Sequence, residues 1–204
     1  MIRLAQRLFA LGCRGAGVAS FPAVLLALMQ SDASAYGDDW AFLGQYAFAH
    51  HETGHLEEAH RLAERSLELR PTNAVAAHSE AHVFFARGDP SGGGDFLGTW
   101  LQGFDTRAPY HVHLSWPQTL FELARGRYQR ALDLYEADIR PAVVANLITA
   151  LNDSAALLWR WSLYSGTIPP VPPEEVRDPG CLGCGEAGPG FQGCPCCPGF
   201  RGRR

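Results

Sequence analysis

Residues 38–71, DDWAFLGQYAFAHHETGHLEEAHRLAERSLELRP, read as two short helices broken at Thr53-Gly54. The second helix carries Leu56, Ala59, Ala63 and Leu67 at the three- and four-residue spacing of one buried face. Glu57 and Glu58 occupy its first turn and Arg70 its last, each of the sign the helix dipole favours there. Pro71, which has no backbone N–H, stops it. Ala59 and Ala63 are small enough to let a neighbouring helix approach closely. The unit is a helix–turn–helix hairpin.

The hairpin recurs. Gly88 lies 34 residues after Gly54, the period of tetratricopeptide repeats, in which each helical pair buries its apolar face against the next. Gly126 follows after 38, so the third unit carries four extra residues. Tyr128-x2-Ala131-x3-Tyr135, closing at Pro141, parallels Leu56-x2-Ala59-x3-Ala63 and Pro71. Ala131–Tyr135 supplies the A-x3-F element of the repeat signature, and Leu43, Tyr46 and Ala47 stand where its Trp and Leu-Gly elements fall. Three glycine-centred copies predict an all-α fold: a short TPR-like solenoid of antiparallel helical hairpins over residues 36–166, with a capping C-terminal helix.

Local signals fill in the other elements. Asn73 caps a helix Ala74–Arg87 that exposes His78 and His82 on one face, four apart. Asp89-Pro90-Ser91-Gly92-Gly93-Gly94 is a poor helix start, since each Gly costs about 1 kcal/mol. The partner helix is therefore expected from near Asp95, with Phe96, Leu97, Trp100 and Leu101 facing inward. Ala108-Pro109 opens the next helix, and Pro117 predicts a kink within it. Tyr128–Arg140 is its partner. Asn152, Asp153 or Ser154 caps a last helix, Ala155–Tyr164, which ends at Gly166 and closes the array.

The two ends differ from the middle. Residues 1–35 have a basic start, an apolar run and Ala33-Ser34-Ala35, the parts of a signal peptide. Pro22 interrupts the run and Gln30 and Asp32 precede the small residues, so the segment reads instead as one or two helices packing on the first repeat. It is too short and too rich in Gly and Ser to span a membrane. In residues 167–204, Gly and Pro take 16 of 38 positions, too many for a packed core. Cys181-x2-Cys184 begins like a zinc knuckle, but Cys194-x-Cys196-Cys197 has the wrong spacing to complete it. The tail reads as disordered, or as the product of a shifted reading frame.

At 204 residues and 47% hydrophobic content the chain suits one domain. A net charge of -4 and a pI near 6.0 argue against a nucleic-acid partner. All 17 basic residues are Arg, as GC-rich coding produces. The repeat region contains no Cys, which fits a reducing compartment and a cytoplasmic protein.

YAFAHHETG at 46–54, HSEAHVFFARGD at 78–89, FLGTWLQ at 96–102, HVHLSWPQTLFELARGRYQRALDLY at 111–135 and SAALLWRWSLYSG at 154–166 resemble the tetratricopeptide repeat protein 38 family. The resemblance covers about residues 36–166, with the motifs in the same order. It implies a solenoid of helical hairpins and carries no activity with it; a truncated member that lacks upstream repeats is a further reading. The chain has Trp116-Pro117 where the family pattern has Trp-His, and His50-His51-Glu52 where it has a Leu-Glu-Glu-like ending.

No nucleophile elbow, phosphate loop or dinucleotide fingerprint is present, so the sequence points to no reaction and no cofactor. Stacked hairpins leave a groove lined by the first helix of each pair, suited to a peptide or a partner protein. Gln45, His50, His78, His82, His113 and Trp116 are the expected groove residues. The alternative is a metal or catalytic site built from histidines. His78 and His82 have ligand spacing with Glu80 between them, and His111 and His113 approach from the adjacent hairpin. His51 and His55 form a second pair, interrupted by Gly54. HSEAH is not the HExxH pattern, which puts ligand and base in a different order.

Overall fold

The computed structural model describes residues 19–145 and 148–167. Helices α1 (Phe21–Tyr36), α2 (Trp40–Glu52), α3 (Leu56–Leu69), α4 (Ala74–Arg87) and α5 (Pro90–Gln102) come first. They are followed by α6 (Pro109–Ala124), α7 (Tyr128–Leu134), a π-helical stretch Tyr135–Ile139, α8 (Arg140–Val144) and α9 (Ile148–Ser165). No strand occurs among the described residues.

The period of glycines marks the turns. Gly54, Gly88 and Gly126 have φ of 81°, 68° and 73°, and nothing would touch a Cβ added at any of them. Each is there for its backbone, because the left-handed turn that reverses the chain is strained for residues with a Cβ. The resulting pairs are α2 with α3, α4 with α5, and α6 with α7; α9 packs on α6, and α1 on α2.

Small residues set the spacing between pairs. Ala59, Ala63 and Ala131 are fully buried, as the close-contact reading requires. The first helices of successive pairs also touch, α2 on α4 and α4 on α6. At Gly44 in α2 an added Cβ would stand 2.7 Å from Asn73 Nδ2 and 3.4 Å from the Ala76 Cβ, and Ser79 Oγ donates to the Gly44 carbonyl at 3.2 Å. Asn73 works at both ends of this joint. Its Oδ1 accepts from the Val75 N–H at 3.1 Å as the cap of α4, while its Nδ2 donates to Ser66 Oγ at 2.8 Å.

Three local expectations are corrected. Helix α5 begins at Pro90 rather than near Asp95, with Asp89 capping it through the Gly92 N–H at 2.8 Å. The three glycines are poor helix formers in isolation, but a Cβ on Gly93 would collide with the Phe121 ring. Close packing of α5 on α6 overrides propensity. Phe96, Leu97, Trp100 and Leu101 do join one core cluster as expected.

The helix expected over Tyr128–Arg140 is divided. It passes into a π-turn at Tyr135 and restarts at Arg140, with Pro141 at the start of α8, where its missing N–H costs little. Helix α6, by contrast, runs continuously through Pro117.

Finally, Asn152, Asp153 and Ser154 cap nothing and lie inside α9, which starts at Ile148. Ser154 is buried and its hydroxyl bonds that of Tyr135 at 3.0 Å, so a polar residue that resembles a cap is an interior partner.

Four apolar clusters lie along the stack. One joins α1 to α2, one α2 to α3, one α4, α5 and α6, and one α6, α7, α8 and α9. Every unit is thus sheltered by its neighbour, which is how a repeat array gains stability. No described helix is long and apolar enough to cross a membrane. The readings of residues 1–18 and of the cysteine-rich tail fall outside the described residues.

Candidate functional site

Because the first helices stack on one another, side chains facing along them form a row that crosses three units. Its middle is α4. His78 Nε2 stands 3.0 Å from His82 Nε2, one turn away on the same helix. It also stands 3.0 Å from His113 Nε2, which reaches across from α6. From α2, the Phe48 ring stacks on His78 at 6.0 Å and the His51 ring meets His82 edge-on at 4.7 Å. Tyr110 on α6 borders His78 and His113, at 6.4 and 6.0 Å between ring centres. Asp153 on α9 closes the row, with Oδ2 3.4 Å from His113 Nδ1.

Burial along the row is graded. His78 is covered, contrary to the exposure expected from α4 alone, because Phe48 and His113 flank it from the adjoining helices. His82, His51 and Phe48 are half-buried, and Tyr110 is exposed. The surface offers aromatic faces and imidazole nitrogens, groups suited to stacking, to hydrogen bonding in either direction and to metal ligation.

Of the expected groove residues, His78, His82 and His113 come together in this row. The other three sit elsewhere. Gln45 is half-buried, and its Oε1 has no hydrogen-bond partner. His50 is buried between Tyr46 at 4.5 Å and His55 at 5.6 Å, and neither of its ring nitrogens has a hydrogen-bond partner. That burial lowers its pKa from the ordinary 6.5, against a smaller opposing pull from Glu58. Trp116 packs on the cluster around α7 and α9, with the Arg160 guanidinium 6.0 Å from its ring centre. His111 is buried near the start of α6.

Glu80 does not face the row either. It turns to α3, where His60 Nδ1 lies 2.6 Å from its Oε1. Burial raises the Glu80 carboxyl above the usual carboxylate range, and His60 opposes the rise. The pair is a contact between units rather than a member of the histidine group.

Sequence reasoning did not select Phe48, Tyr110 or Asp153. A signal was available for Phe48. Phe48 and His82 each stand six residues before a turn glycine, Gly54 and Gly88, so stacking places them at one level.

No family model matches the chain. Its structure is similar to a crystal structure of a Podosopora anserina kinesin light chain described as nearly identical TPR-like repeats. The likeness has a TM-score of 0.52, covers 81% of this chain and 84% of that one, and accompanies 17% sequence identity. At that identity it shows the fold alone: a TPR-like stack of helical hairpins.

Proposed function

We propose that this protein is an interaction scaffold whose repeat region, residues 36–166, holds an extended peptide or a segment of a partner protein. The partner lies along the first helices of successive pairs. The observation that carries this reading is the row itself: Phe48, His51, His82, Tyr110 and His113 come from three units and remain partly accessible along one line. Aromatic and imidazole groups present large rigid contact areas at low entropic cost, the composition that recognition surfaces favour. The TPR-like fold and the resemblance to the tetratricopeptide repeat protein 38 family support the same reading, with the chain acting in the cytoplasm.

A displayed library of random peptides, selected on the purified chain, tests it. Selected peptides should bind the parent and lose affinity about tenfold or more with Tyr110→Ala or Phe48→Ala, the cost of removing one aromatic anchor. Arg61→Ala, on the exposed side of α3, should leave binding unchanged. A selection that enriches nothing, or peptides indifferent to Phe48 and Tyr110, would defeat the proposal.

A further inference from the structure

The last turn of α2 and the middle of α4 meet at a group of nitrogen and oxygen donors. His51, Glu52 and His82 each place one ligand atom within 4.8 Å of the other two. The rings of His51 and His82 meet edge-on, with centres 4.7 Å apart. His51 Nδ1 lies 3.3 Å from Glu52 Oε1. That nitrogen is closed off from solvent and has no hydrogen-bond partner, so its approach to Oε1 lacks the alignment that a shared proton needs. Two donors bound to one tetrahedral zinc ion at about 2.0–2.1 Å stand about 3.3 Å apart, with the ion off the line between them. The spacing is that of two atoms sharing a cation. We infer that His51, Glu52 and His82 form a site for a divalent transition-metal ion, zinc first among them.

The surroundings suit a cation. Glu52 ends α2, where the helix dipole is negative. Two imidazoles and one carboxylate are a donor set that zinc accepts, and nitrogen donors select against calcium and magnesium, which take oxygen ligands. The His51 and Glu52 side chains are 15% and 27% exposed, so an ion can enter and a water can take the fourth position. His78, whose Nε2 is 3.0 Å from His82 Nε2, holds the His82 ring from the inner side of the row. Of the histidines that sequence spacing singles out as a pair on α4, only His82 belongs to this group. His51 joins it across units rather than with His55, because α4 stacks on α2. The ion would therefore fasten the first repeat to the second. The inference rests on this geometry alone and stands whether or not a peptide binds.

The test uses the full chain with all six cysteines replaced by serine, so that thiolates in the tail cannot hold the metal. After loading with zinc and desalting, one ion per chain should remain, and zinc should raise the unfolding midpoint. Loss of an outer-shell partner already costs about tenfold in metal affinity, so His51→Gln, Glu52→Gln and His82→Gln should each cost at least that. His55→Gln and His113→Gln, outside the group, should bind zinc as the parent does. Circular dichroism checks that each variant is folded. Where a histidine variant is not, the nearly isosteric Glu52→Gln decides. The inference is overturned if the six-serine chain retains no zinc, if the folded Glu52→Gln chain binds it as the parent does, or if binding is lost with His55→Gln or His113→Gln instead.

Discussion

His113 and Asp153 face each other at 3.4 Å, and each stands 13 residues before the glycine that follows its helix, Gly126 and Gly166. Equal register puts them side by side, because each unit repeats the last with a small displacement. The same rule aligns Phe48 with His82. The inner row is thus a product of stacking: no single hairpin contains it.

Gly93 and Gly98 lie on the same helix and should respond oppositely to alanine. Gly→Ala adds about 1 kcal/mol of helix propensity at either position. At Gly93 the new methyl would meet the buried Phe121 ring, and overpacking of about 1–3 kcal/mol wins. At Gly98 it meets only the end of the Gln118 side chain, with Nε2 at 3.3 Å, which has to give by no more than a few tenths of an ångström, and propensity wins. Urea midpoints should fall for Gly93→Ala and hold or rise for Gly98→Ala.

Ala59 and Ala131 are both 0% exposed and sit at helix–helix contacts. Ala59→Leu or Ala131→Leu should destabilise by about 1–3 kcal/mol, read by chemical unfolding. Ala86→Leu, on the exposed face of α4, serves as the control and should change little. Equal stability of all three would remove these alanines from the contacts assigned to them.

The hydroxyls of Tyr135 and Ser154 are buried against each other, 3.0 Å apart. Tyr135→Phe and Ser154→Ala should each cost about 1 kcal/mol, the loss of one buried hydrogen bond. Their combination should cost less than the two added together. Strict additivity in that cycle would contradict the bond.

His50 supplies a pH test. Its folded pKa lies below the ordinary 6.5, so as pH falls the unfolded chain takes up this proton first. The contribution of this site to stability is complete above about pH 6.5, the unfolded value, and is lost as pH falls from there through the lower folded value. His50→Phe keeps an aromatic ring at the site and removes the titrating group. Against the parent, its relative stability should grow below pH 6.5, as followed by thermal melts across pH.

The glycine period made the hairpins legible before any coordinates, because Gly54, Gly88 and Gly126 answer a purely local demand of the backbone. Asn73 and Pro109 were legible for the same reason. What sequence hid was decided between units. Helix α5 accommodates three glycines because Phe121 needs the space, and Ser154 lies within α9 because Tyr135 meets it there. The site divides likewise. His78, His82 and His113 stand out by type and spacing, whereas Phe48, Tyr110 and Asp153 acquire meaning only from neighbouring helices. His50 and Trp116 share the first helices with the row, yet their packing takes them into the cores beside Tyr46 and the α7–α9 cluster.

Hydrogen–deuterium exchange of the chain with and without a selected peptide tests the scaffold reading most directly. Slowed exchange in α2, α4 and α6, along the line from Phe48 through His82 to His113, is the predicted footprint. Protection confined to α3 and α5, with the inner helices exchanging as in the free chain, would contradict it.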